Sequence, residues 1–185
     1  MIEPVAYMRG PYKGRRSVMR LRITTDGTVI ASAPKRISDA ELSRFVDAHH
    51  AWIEKKRAVL IQKKTRIQQL GTGSNAEFRS LQEKAHAVAV EHIARINRTY
   101  NFTPKKITIR NQKTRWGSCS SRGGITFNYR IALLPYELAE YLVAHELCHL
   151  GEMNHSHRFW KLVEQTIPDW KQRRAQLHQY GLSEQ

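Results

Sequence analysis

Between Pro135 and Gly151 the chain reads PYELAEYLVAHELCHLG, and no other stretch narrows the fold as much. Proline suits the first turn of a helix and glycine its end, so one helix fills the interval. Cys148, set among leucine and alanine, reads as a small apolar residue of a buried helix. In a helix, positions i and i+4 share a face, so His145 and His149 aim their imidazoles at one metal ion. Glu146 lies about 100° further round the axis, a poor ligand to that ion but well placed to hydrogen-bond a water on it and take its proton. Two ligands are too few, because a catalytic zinc site has three protein ligands and one open position.

The third has to arrive from downstream. His155 lies six residues beyond His149, with Gly151 between them to end the helix and reverse the chain. That is the second-to-third ligand spacing of the long zincin motif. The motif expects glycine where Glu152 stands, and no methionine follows Met153 to make a Met-turn, so a metzincin is disfavoured. What fits is a compact zincin with a short loop and a third histidine at the start of the next helix, where His157 also lies. His49, His50, His86 and His92 have no ligand spacing around them and read as structural.

The remaining pattern is of mixed α+β type. SVMRLRITTDGTVIASAP alternates Met19, Leu21 and Ile23 with Arg20 and Arg22, turns at Asp26-Gly27 and stops at Pro34, as a hairpin does. Ser38 with Glu41 is a capping box opening an amphipathic helix, which continues into the basic stretch KKRAVLIQKKTRIQQL. Gly71-Thr72-Gly73 breaks the pattern, and Ser74 with Glu77 opens a further helix through a second capping box. KKITIR and the two halves of TRWGSCSSRGGITFN read as three short strands. A second helix follows from about Ser156 and runs to Ile167-Pro168. Two domains are expected: residues 1–70, a hairpin with a basic helical module, and residues 75–185, the metal-binding hydrolase domain.

Charge bears on partners. The chain carries 31 basic and 16 acidic side chains, a net +15. Residues 1–70 hold 15 basic and 6 acidic residues, hence +9, leaving 16 and 10, hence +6, for the rest. A nucleic acid or nucleotide is therefore an expected partner beside a protein or peptide substrate. With two cysteines, no basic-then-apolar leader and no run of ~18 apolar residues, the expectation is a cytoplasmic protein with no membrane role. Oligomeric state is not legible.

The stretch RWGSCSSRGGITFNYRIALLPYELAEYLVAHELCHLGEMNHSHRFW resembles the YgjP-like metallopeptidase domain, a relative of the SprT-like zincins. The motifs that carry the likeness are Trp116–Cys119, Asn128, the HELCH helix, Asn154–Ser156 and Phe159-Trp160, and a looser similarity runs back to the N-terminal hairpin. The resemblance implies a zincin-like α+β fold, Zn2+ held by His145, His149 and His155, and Glu146 as catalytic acid and base. Trp116–Cys119 would then lie beside the zinc helix, as packing or as a strand edge for an extended substrate. Arg115, Tyr141, His157 and Arg158 are candidates to stabilise an oxyanion. Three functions fit: a zinc metallopeptidase, a metal-dependent hydrolase of nucleotide or nucleic-acid phosphate bonds, and a non-catalytic nucleic-acid adaptor, against which an intact Glu146 argues.

Overall fold

The computed structural model describes residues 5–9, as backbone, and residues 18–184. Two compact units divide between Thr65 and Arg66.

In the first unit, β1 (Val5–Arg9), β2 (Arg20–Ile23) and β3 (Val29–Ala33) form a sheet in the order β1-β3-β2. The β2–β3 pair is the expected antiparallel hairpin, with Ile23 opposite Val29. β1, which no alternation announces, lies parallel to β3 on its other side. Period-2 alternation buries Val29, Ala31 and Ala33 against Leu42, Val46 and Ile53 and leaves Arg20 and Arg22 exposed. The Ser38–Glu41 capping box forms: the Ser38 hydroxyl accepts from the Glu41 amide at 3.2 Å, and the Ser38 amide donates to the Glu41 carboxylate at 2.9 Å.

The helix it opens does not continue into the basic stretch as expected. α1 (Asp39–Ala48) ends at His49, whose amide bonds back to Val46 and whose Nδ1 lies 2.8 Å from the Phe45 carbonyl, and α2 (His50–Gln69) starts afresh. Leu42 and Val46 of α1 and Ile53 of α2 share one small core.

The second unit begins in the last turn of α2. The loop Gly71–Gly73 follows, then α3 (Asn75–Tyr100). The second capping box is only half made. The Ser74 hydroxyl accepts from the Glu77 amide, but the Glu77 carboxylate accepts from the Thr72 and Gly73 amides, at 2.7 and 3.1 Å, instead of from Ser74. Left-handed backbone at Gly71 and Gly73, φ 77° and 78°, folds the loop over that carboxylate.

The three expected strands are β4 (Lys106–Arg110), β5 (Gly117–Cys119) and β6 (Gly124–Asn128). β6 lies in the middle, parallel to β4 and antiparallel to β5, so β5 is an edge. A 3-10 turn, Tyr129–Leu133, leads into α4 (Tyr136–Cys148), and α5 (His157–Thr166) starts at the cap Ser156. α6 (Trp170–Leu177) and a last 3-10 turn, His178–Tyr180, were not anticipated from the sequence. Among the described residues no helix is long and apolar enough to cross a membrane.

α4 is the axis of this unit. Every residue from Leu138 to Cys148 is buried, in a core shared with Ala85, Ala89, Ile93 and Ile96 of α3, Ile125 and Phe127 of β6, and Phe159 and Val163 of α5. Burial pushes the Cys148 thiol up to about 12, so it behaves as an apolar side chain.

Glu140 is held by Arg95 of α3 and by Arg173 of α6, the latter at 2.6 Å. Burial alone would raise its pKa, but hydrogen bonds from the two guanidiniums outweigh that and hold it below 4.5. The stabilisation is present above the unfolded value and is lost as pH falls through the lower folded one. Glu140→Ala is expected to lower unfolding free energy by about 1–3 kcal/mol near neutral pH, and by less under acid conditions, in denaturant titrations at both. An equal loss at both pH values would exclude the charge as the cause.

Candidate metal centre

Helical spacing and a single chain reversal bring three imidazoles together. His145 and His149 project from the last turns of α4, and the loop Gly151–Ser156 returns His155 to them. Ligand atoms of the three all lie within 4.8 Å of one another, and Nε2 of His145 is 3.1 Å from Nε2 of His155. Nδ1 of His149 lies 3.1 Å from the Glu152 carbonyl, which fixes that nitrogen as the N–H and leaves Nε2 with a free lone pair. His157, the other late histidine, starts α5 and is not among the converging groups.

Phe159 sits against all three rings, with centroids 4.9, 4.4 and 4.8 Å from His145, His149 and His155. His155, alone of the three in being exposed, stacks on Trp160 at 5.7 Å, and Trp160 stacks in turn on Trp170 at 4.0 Å. The loop histidine is thus oriented by an aromatic column on α5 and α6.

Burial lowers the basicity of each imidazole, with the neighbouring rings acting in the same direction on His145 and His149. For His145 the charge of Arg174 adds to this and holds it well below the ordinary value. The residues accordingly fit a metal ion: three neutral nitrogens converge, as ligation requires. Nitrogens sharing a tetrahedral zinc stand roughly 3.3 Å apart, close to the His145–His155 separation. Nε2 of His149 and both carboxylate oxygens of Glu146 are buried with no hydrogen-bond partner. Glu146 is fully buried, and burial first, then the charge of Glu184, raises its pKa well above the ordinary range, with Arg115 opposing.

The YgjP-like metallopeptidase domain matches residues 17–79 and 74–180. The chain belongs to the YgjP-like family. Among solved structures it is similar to the metallopeptidase zymogen of Pyrococcus abyssi abylysin, at 23% identity and a TM-score of 0.47, over 51% of this chain and 99% of that one. No curated protein matches it.

The segment that carries the YgjP-like resemblance before the helix has distinct jobs residue by residue. Asn128, buried, donates through Nδ2 to the Gln112 and Arg115 carbonyls at 2.7 and 3.0 Å and so pins the chain entering β5. Trp116 is buried and packs edge-on to Tyr180. Gly117 faces Glu146: a Cβ built there would lie 2.6 Å from Oε1 and 2.8 Å from both Cδ and Cγ. That glycine is what lets the glutamate lie against the edge strand, a role invisible in W-G-S-C alone.

Of the expected oxyanion candidates, Tyr141 is fully buried, whereas Arg115, His157 and Arg158 are exposed. Sequence reasoning named Trp116–Cys119 and Phe159-Trp160 as motifs but missed the contact of Gly117 with Glu146, the stacking of Trp160 on Trp170, and Glu184, because none has a spacing that marks it.

The Gly117 contact makes two substitutions interdependent. Gly117→Ala alone is expected to destabilise by about 1–3 kcal/mol, and most of that should vanish in a Glu146→Ala background, where Oε1, Cδ and Cγ are gone. Additive effects in a denaturation double-mutant cycle would show that the two side chains do not compete for the space.

Proposed function

We propose that the chain is a zinc-dependent peptidase in which His145, His149 and His155 hold the ion and Glu146 is the general base. The observation that carries the reading is the convergence of three imidazoles beside a buried carboxylate with no partner of its own. A bound Zn2+ supplies Lewis acidity at the scissile carbonyl and brings the attacking water's pKa toward ~7. Glu146 would take the proton of that water on a carboxylate oxygen. It then delivers the proton to the leaving amine nitrogen, so a C–O bond forms, the C–N bond breaks and the glutamate is restored.

The same residues could serve hydrolysis of phosphate esters or anhydrides. Membership of a metallopeptidase family favours the peptide bond.

Glu146→Gln keeps the size of the side chain and removes the base. Zinc content and melting temperature should stay near wild type while hydrolysis of casein falls by about 10²–10⁴-fold. A Glu146→Gln protein that holds zinc and works at full rate would rule the mechanism out. In the same metal assay His155→Ala should lose bound zinc and His157→Ala retain it; the reverse pattern would move the third ligand to His157.

A second partner is proposed on separate grounds. Arg20 and Arg22 of β2 and Lys55, Lys56, Lys63 and Lys64 of α2 are all exposed. Such a set should bind single-stranded DNA weakly, with affinity dropping steeply between ~50 and ~200 mM salt in an anisotropy titration. No binding at the lower salt would reduce this charge to a solvated surface.

A further inference from the structure

Beyond Gly181 the chain turns and runs back along the edge of the sheet. The Ser183 amide donates to the Thr114 carbonyl at 2.9 Å, the Ser183 carbonyl accepts from the Trp116 amide at 2.8 Å, and the Ser183 hydroxyl donates to the Thr114 carbonyl at 2.9 Å. Arg115 and Ser183 thereby form a parallel bridge, immediately before β5, the edge strand whose Gly117 faces Glu146.

The next side chain, Glu184, turns inward and is only 4% exposed. Its Oε2 accepts from Nε of Arg174 at 3.0 Å, with Nε2 of His178 at 3.6 Å. Its Oε1 is buried, and the buried Tyr141 side chain interacts with the same carboxylate. Arg174 is itself 41% exposed and lies over Trp160 at 4.9 Å, and Trp160 is the ring on which His155 stacks. The charge of Glu184 is felt at Tyr141, Glu146 and His155.

A brace between α6 and the sheet does not require this arrangement. The carboxylate lies within electrostatic reach of a second buried carboxylate, which like-charge repulsion disfavours. Backbone pairing to a strand edge, with the following side chain held in a charged pocket, is how an extended peptide docks by strand addition. The geometry points to a substrate subsite for an acidic side chain, built by Arg174 beside the Thr114–Trp116 backbone and filled in this structure by the chain's own Ser183-Glu184. As a substrate subsite it rests on the peptidase reading; as a peptide-binding site it can be tested apart from it.

Peptides with aspartate or glutamate at one position should be preferred, because a hydrogen bond from a guanidinium to a carboxylate exceeds one to an amide. Short peptides should also compete poorly with the native chain, since a tethered segment acts at an effective concentration in the mM range.

The test uses the zinc-loaded full chain carrying Glu146→Gln, so that nothing is turned over, and two labelled tripeptide amides, leucine-serine-glutamate and leucine-serine-glutamine, read by anisotropy. Adding Ser183→Pro, which removes the amide donor, together with Glu184→Gln should strengthen binding of the glutamate probe tenfold or more. The glutamine probe should bind about tenfold weaker to the same protein, and Arg174→Gln should erase the difference. Glu184→Gln alone should move binding in the same direction, so the result does not hang on proline being tolerated. Hydrogen exchange should report loss of protection at the Trp116 amide with α4 still protected.

Equal binding of the two probes, or no gain on releasing Ser183 and Glu184, would overturn the proposal. Cleavage of peptides by the parent chain without acidic preference would sink the subsite and leave the peptidase reading standing. An acidic preference in binding, in a parent protein that cleaves no peptide, would do the opposite.

Discussion

A carboxylate and two imidazoles inside an apolar helix are the constraint to which the second unit answers. α4 lies in the core from Leu138 onward, yet Glu146 and Nε2 of His149 find no protein partner there. Polar groups without partners in such surroundings cost several kcal/mol unless something offsets them. A metal ion bound there would do so, and its binding free energy would then be part of folding. The choice of Gly117 opposite Glu146 belongs to the same logic: the strand gives up a side chain so that the carboxylate has room.

Support is divided unequally among the three histidines. His145 and His149 inherit their spacing from the helix itself, and His149 is further set by the Glu152 carbonyl. His155 comes from a loop and has no such guarantee. Its orientation depends on Phe159, which touches all three rings, and on Trp160, against which Trp170 and Arg174 both pack. Arg174 therefore bears on two features at once, the column behind the loop histidine and the pocket around Glu184.

The edge strand joins these features. Asn128 fixes the carbonyls ahead of β5, Gly117 admits Glu146, and Ser183 occupies the backbone groups on either side of Arg115. Strand, helix and the segment after Gly181 meet within a few residues of one another, so a ligand that pairs with this edge has to contend with Ser183. The first unit has a separate small core around Val29, Leu42 and Ile53.

What the sequence determined by itself was whatever depends on short spacings. Residues three or four apart on a helix share a face, so HELCH specified two convergent histidines and an offset glutamate. Alternation and turn chemistry specified the β2–β3 hairpin and the strands β4 to β6, and Ser38 with Glu41 specified the start of α1. Tertiary structure decided what depends on groups far apart in the chain meeting. The parallel pairing of β1, the central place of β6, the turn at His49 and the diversion of the Glu77 carboxylate to Thr72 each answer to a neighbour that no local pattern names. The contact of Gly117 with Glu146 and the burial of Glu184 beside Arg174 are of the same kind, since a glycine and a glutamate carry no periodic signal of what they will face. Ligand spacing is written in 3.6-residue geometry, whereas the walls of the site are written only in the packing of one element on another.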